Sequence, residues 1–170
     1  MSTSLERLNG ATRDEAFELL ERCCGAHRWV EGMLERRPFA SPEALFASAE
    51  QVWHTCGAED YLEAFRHHPK IGDVESLRKK FASTATWASG EQAGVQQADD
   101  ATLLGLAEGN GAYEARFGYI FIVCATGKRA DEMLALLRDR LPNEPAQELE
   151  IAAGEQAKIT RIRLEKLIQP

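Results

Sequence analysis

The sequence predicts an all-α fold, a single compact domain over residues 1–170 with roughly eight to nine helices and one buried extended or irregular apolar segment near 119–125. Three observations predict it. Apolar residues recur three and four apart through most of the chain, and cap residues or Gly and Pro stops bound the segments that carry them. Only Tyr119–Ala125 has the β-branched and aromatic make-up of a strand, so it has no strand to pair with. With 170 residues, 44% of them hydrophobic, the chain can fill one core without a second domain.

Thr12-Arg13-Asp14-Glu15 has capping-box spacing, and Ala16, Leu19, Leu20 and Cys23 form the stripe of the helix it opens, with Gly25 as its stop. Trp29, Val30, Met33 and Leu34 mark a second helix that ends before Pro38. Ser41-Pro42-Glu43 opens a third, with Leu45, Ala49, Val52 and Trp53 inward and Gly57 at its end. Asp60 is expected to cap a helix running to His67, held to the core by Leu62 and Phe65. Asp73–Lys80 suits a short amphipathic helix, and Ser83–Ser89 reads as loop.

Ser89-Gly90-Glu91-Gln92 is again a capping box, placing Glu91 in a first helical turn. Asp99-Asp100 can start a further helix, which Gly109-Asn110-Gly111 would interrupt or bend before Tyr113–Phe117. Tyr119–Ala125 is an isolated extended stretch or an unusual buried helix, and Gly127 ends it. If extended, its backbone N–H and C=O groups need partners, and a ligand could be one. Lys128–Leu141 is amphipathic, with Met133, Leu134 and Leu137 inward. The span from Glu144 to Ile168 reads as the longest helix, with Ile159, Arg163 and Leu167 in one row.

Composition removes several classes of partner. The net charge is −7 with no long basic run, which argues against nucleic acid and against an anionic membrane surface. No apolar run approaches the ~20 residues that cross a bilayer. Cys23, Cys24, Cys56 and Cys124 lack disulfide-scaffold density and metal-ligand spacing, so reduced thiols in apolar surroundings are expected. The first residues carry no hydrophobic signal segment, and the C-terminus is not a Ser-Lys-Leu address; a bacterial-type cytoplasm is the expected location.

Chemistry concentrates at Phe65-Arg66-His67-His68-Pro69-Lys70-Ile71-Gly72-Asp73. Proline restricts the residue before it to extended conformations, so His68 should lie at or just past a helix end, where an imidazole can exchange a proton in a cleft. A helix C-terminus also favours His on dipole grounds alone. Adjacent His67 and His68 point apart on a helix, which argues against a shared metal, and no metal site is expected. There is no Gly-rich phosphate loop, His-Glu-x-x-His helix or Gly-x-Ser-x-Gly elbow. Glu91 reads either as a helix-start acid or as a carboxylate that tunes the imidazole. Arg163 reads either as the partner of an internal acid or as the fork for a substrate carboxylate.

The His67-His68-Pro69-x-Ile71-Gly72 run resembles the signature of the OHCU decarboxylases, which act on 2-oxo-4-hydroxy-4-carboxy-5-ureidoimidazoline in urate breakdown. Further stretches agree in order: Cys23-Cys24-Gly25 with Trp29, Arg37-Pro38-Phe39, Trp87 before Glu91-Gln92, Tyr113-Glu114 through Arg116-Phe117-Gly118, Phe121–Ala125 and Arg163-Leu164. The resemblance implies cofactor-free decarboxylation of a small anionic ureidoimidazoline to (S)-allantoin. It implies His68 as proton donor, Glu91 as the second catalytic group, and substrate contacts from Pro69, Gln92, Arg163 and the backbone of Phe121, Ile122, Val123, Cys124 and Ala125. His67 is the weaker histidine candidate, since the family's catalytic position adjoins the proline. Where the family commonly has a serine, this chain has Ala88 with Ser89 beside it; either Ser89 takes over the contact or the contact is absent. A homodimer is a further family expectation. The competing readings are a non-catalytic helical interaction module, in which His68, Glu91 and Arg163 satisfy one another, and a hydrolase or isomerase acting on a related ureide.

Overall fold

A computed structural model describes residues 3–69, 75, 77 and 92–169, without the side chains of 92–99. The described residues hold eight α-helices and no strand, as the sequence predicts. They are α1 (Ser4–Gly10), α2 (Arg13–Glu21), α3 (His27–Glu35), α4 (Pro42–His54), α5 (Ala58–Arg66), α6 (Gln92–Phe117), α7 (Ala130–Arg140) and α8 (Pro145–Leu167). None of the described helices is long and apolar enough to cross a membrane. The chain divides into two compact units: Met1–His68 with Ile122–Cys124 and Leu149–Pro170, and Pro69–Phe121 with Ala125–Glu148.

In the first unit the caps at Thr12 and Ser41 act as expected, while the Arg13–Glu21 helix ends at Arg22, ahead of the expected Gly25 stop. The Thr12 hydroxyl accepts from the Glu15 N–H at 3.2 Å, and the Thr12 N–H donates to the Glu15 carboxylate at 3.3 Å. Ser41 caps α4 by accepting from the Ala44 N–H at 3.1 Å. Two other expectations need correction. Thr3 and Glu6 form a further capping box, and it opens α1, a helix the sequence reading did not include. Asp60 is not the cap of α5. The cap is Gly57, and Asp60 lies three residues inside, where its carboxylate accepts from the Gly57 N–H at 2.9 Å.

Trp29 and Trp53 are buried and donate their indole N–H groups to the carbonyls of Ala49 and Ala153, at 3.2 and 3.0 Å. Each bond lets a large apolar ring enter the core without an unsatisfied donor, and the two bonds tie α3 to α4 and α4 to α8.

In the second unit α6 runs unbroken through Gly109-Asn110-Gly111 for 26 residues, so it, rather than the 23-residue α8, is the longest helix. The helix neither restarts at Asp99 nor breaks at the glycines. Packing explains this: a Cβ at Gly109 would stand 2.4 Å from Leu137 Cδ2, and one at Gly105 would stand 3.1 Å from Leu134 Cδ2. These glycines let α7 approach α6, and the contact outweighs the ~1 kcal/mol helix penalty of a glycine.

Between α6 and α7, residues 120–125 adopt no regular structure, with Ile122 and Cys124 buried and Ile120, Phe121, Val123 and Ala125 half-buried. Gly118 (φ 83°) and Gly127 (φ 76°) turn the chain on either side, in a region other residues avoid. This is the irregular apolar segment expected near 119–125. Of the expected Asp73–Lys80 helix, Glu75 and Leu77 are helical; its other residues, and the Ser83–Ser89 loop, lie outside the described residues.

Candidate active site

The last turn of α5 delivers the histidines. Buried Ala64 and Phe65 anchor the helix, and the N–H groups of His67 and His68 bond the carbonyls of Ala64 and Phe65, both at 3.2 Å. This three-residue spacing tightens the helix end, and Pro69 then takes the chain out of it. His68 is left half-buried, while His67 and Pro69 are exposed.

The two imidazoles have different surroundings. His67 Nδ1 lies 2.9 Å from the Glu63 carbonyl, so that nitrogen carries the proton and fastens the ring to its own helix. His68 reaches α8 instead. Its Nε2 lies 2.5 Å from Gln156 Oε1, and its Nδ1 lies 3.5 Å from Arg163 Nη2. Arg163 also donates through Nη1 to the Arg22 carbonyl at 3.3 Å, which holds the half-buried guanidinium at the carboxyl end of α2. Burial pushes the nearby Cys23 thiol up to about 11, and the positive charge of Arg163 draws it partly back.

His68 and Arg163, 95 positions apart in the sequence, are thus brought together. Arg163 lies with Ile159 and Leu167 on a half-buried row of α8, not on its fully buried one. The fully buried row is Ala152, Gln156, Thr160 and Leu164, and it supplies a residue the sequence reading did not include. Gln156 has no exposed surface and joins His68 to Thr160, whose Oγ1 lies 3.1 Å from Gln156 Nε2. The signal was present, as a Gln and a Thr four apart inside an apolar row, but nothing local tied it to residue 68.

A second contact reaches the irregular segment. The Cys124 N–H donates to Glu155 Oε1 at 3.2 Å, and the other oxygen of Glu155 pairs with Lys158 at 2.7 Å. One turn of α8 therefore holds both the His68 ring and the Cys124 backbone. Ile122 is buried, and Val123 and Ala125 are half-buried. In the second unit the Phe121 ring packs edge-on against Tyr113 at 5.2 Å, with Arg140 4.6 Å above its centre. Glu91 and Ser89 lie outside the described residues. Gln92 is described by its backbone alone, as the first residue of α6. Among the described residues no three His, Cys, Asp or Glu side chains are grouped to hold a metal ion.

Fold and site together define a small all-α protein with a half-buried imidazole between a guanidinium and a buried amide. Its sequence matches the model of the OHCU decarboxylase family over residues 9–165, and the chain belongs to that family. It is 38% identical over 147 residues to the uric acid degradation bifunctional protein TTL of Arabidopsis thaliana, covering 85% of this chain and 45% of that one; the chain thus spans less than half of that relative. It is 29% identical to the 2-oxo-4-hydroxy-4-carboxy-5-ureidoimidazoline decarboxylase of Amia calva, over 97% of this chain and 94% of that protein. A crystal structure of OHCU decarboxylase in the presence of (S)-allantoin superposes with a TM-score of 0.68 at 35% identity, covering 87% of this chain and 95% of that one.

Proposed function

We propose that this chain is a carboxy-lyase of urate degradation that converts 2-oxo-4-hydroxy-4-carboxy-5-ureidoimidazoline to (S)-allantoin without a cofactor. Family membership over residues 9–165 supports the reaction class, and the observation that carries it into this chain is His68 Nδ1 standing 3.5 Å from the Arg163 guanidinium. An acid–base group and an anion anchor at that separation suit a small carboxylate that must lose CO₂ and gain a proton at one centre.

In this reading Arg163 holds the substrate carboxylate through its planar fork and aligns the breaking C–C bond with the ring's π system. CO₂ leaves, and the bonding pair flows into the ring's C=N system. Protonated His68 then delivers its proton to one face of the resulting carbanion and is left neutral, to be recharged from water. The substrate's own negative charge, lying between the imidazolium and the guanidinium, offsets their repulsion. Single-face delivery gives one enantiomer, and a positioned acid typically contributes about 10²–10⁴ in rate. Glu91 orients the imidazole or the substrate. Pro69, Gln92, Ser89 and the backbone of residues 121–125 contact the heterocycle, with His67 at the rim. The whole chain acts as one domain, in the cytoplasm, as a homodimer.

The test supplies freshly generated 2-oxo-4-hydroxy-4-carboxy-5-ureidoimidazoline to the purified protein and follows the circular-dichroism signal of (S)-allantoin. Acceleration over the spontaneous rate with one enantiomer formed is expected; a rate equal to the spontaneous one rejects the assignment. A ureide product other than allantoin would indicate a hydrolase or isomerase instead.

A further inference from the structure

We propose that Gln156 is a positioning residue for His68, holding its imidazole as the Nε2–H tautomer and so reserving Nδ1, on the Arg163 side, for proton exchange with the substrate. The inference rests on the reading of His68 as the acid–base group and adds which of its nitrogens works and what sets that choice.

The contacts decide the tautomer. A neutral imidazole has one N–H and one bare nitrogen, and an amide or a hydroxyl can face either. Arg163 cannot, because a guanidinium only donates. Its Nη2, 3.5 Å from His68 Nδ1, therefore requires the bare nitrogen there and the proton on Nε2. Gln156 must then present its oxygen to Nε2, as it does at 2.5 Å. Its Nε2 is left to donate to Thr160 Oγ1 at 3.1 Å. The chain from Arg163 through the ring and the amide to Thr160 runs in one direction, with every donor facing an acceptor.

Burial makes this arrangement stiff. Gln156 has no exposed surface and Thr160 is 5% exposed, so neither can turn to water for a substitute partner. An amide in a core is costly unless it is hydrogen-bonded, and these two bonds are what make its place tolerable. The bond to His68 also survives the proton cycle, since Nε2–H donates to Gln156 whether the ring is neutral or charged. The ring can gain and release a proton at Nδ1 without rotating, as a second group behind a working histidine generally ensures.

The experiment uses the full chain, with ¹⁵N NMR of the His68 ring nitrogens across a pH titration and steady-state kcat and KM for the ureidoimidazoline. The ligand-free neutral ring should be predominantly Nε2–H. Gln156→Met, which keeps length but removes the acceptor, should mix in the Nδ1–H form and lower kcat by about 10–100-fold with KM changed far less. Gln156→Glu, which still accepts from Nε2–H, should keep the tautomer and most of kcat. Thr160→Val reads the same ring with the amide intact but unanchored; it should give a smaller drop and decides the matter should Gln156→Met fail to fold. A wild-type ring protonated at Nδ1, or a ring and kcat that ignore both Gln156→Met and Thr160→Val, overturns the proposal. A Gln156-dependent Nε2–H ring in a protein that does not turn over the substrate supports the positioning and sinks only the decarboxylase reading.

Discussion

Gly25 and His67 leave each other no spare room: a Cβ on Gly25 would stand 2.2 Å from His67 Cγ and 2.6 Å from its Cβ. The clash falls at the base of the ring, which is also tethered through Nδ1 to Glu63, so the side chain cannot swing clear. Gly25→Ala must displace the turn that carries His68. We expect a loss of about 1–3 kcal/mol in urea unfolding, the usual cost of overpacking, together with reduced decarboxylation. Adding His67→Gly, which removes that Cβ as well as the ring, should restore part of the stability. If the single variant unfolds at the wild-type urea midpoint, the contact does not constrain the helix end.

Replacing His68 and replacing Arg163 should have different signatures. His68→Ala removes the proposed proton donor and should cut kcat by about 10²–10⁴ without unfolding the protein. Arg163→Lys keeps the charge but loses the planar fork and should mainly raise KM, while Arg163→Met should raise it further. Initial rates followed by circular dichroism separate these effects. An unchanged KM in Arg163→Met would remove the guanidinium from substrate binding.

The second unit carries a buried ion pair whose disruption should act on stability. Glu148, with no exposed surface, accepts from Arg140 Nε and Nη2 at 3.0 and 2.6 Å, from the Tyr113 hydroxyl, and from Asn143 at 3.2 Å. Arg140→Met leaves that carboxylate inside without its cation and should cost about 3–5 kcal/mol, whereas Arg140→Met with Glu148→Leu should recover much of the loss. Chemical denaturation at neutral pH checks both. A double variant no more stable than the single one would mean that packing, rather than the stranded charge, sets the cost.

Alkaline pH should weaken the fold through the thiols. Burial raises Cys24 from 9.0 to about 12, and raises Cys23 and Cys56 to about 11. Below pH 9 these groups are protonated in both folded and unfolded chains and do not affect the balance. Above it the unfolded chain loses protons that the folded chain retains, so stability falls by about 1.4 kcal/mol per pH unit per thiol until the folded values are passed. Unfolding free energies measured in reductant from pH 8 to 11 should show the decline, and Cys24→Ala should flatten it. A profile that is the same in Cys24→Ala as in wild type would reject the thiol contribution. Native protein at pH 8 should also resist iodoacetamide, because the thiols are neutral and buried.

Helix starts were largely legible where a cap acts within three residues, as at Thr12 and Ser41. The α1 box at Thr3 and Glu6 carried the same signal and was passed over. Asp60 shows the limit of that signal: the acid is at the helix start, but glycine occupies the cap position. Gly109 shows another limit, for nothing nearby reveals that Leu137 lies against it. The His68 position was legible because proline acts on its immediate neighbour. Gln156 was not, because an amide on a helix has no preferred partner until another element arrives.

What the sequence by itself determined is therefore local: helical composition, most helix ends, the histidine just outside α5, and the irregular apolar run before Gly127. Those features follow from steric and hydrogen-bonding limits acting over a few residues. Only the tertiary structure decided which row of α8 is buried, and that Gln156, 88 positions from His68 in the sequence, stands 2.5 Å from its Nε2. The reason is physical: packing selects a helix face through the summed contacts of distant segments, and a hydrogen bond between side chains exists only once packing has placed both.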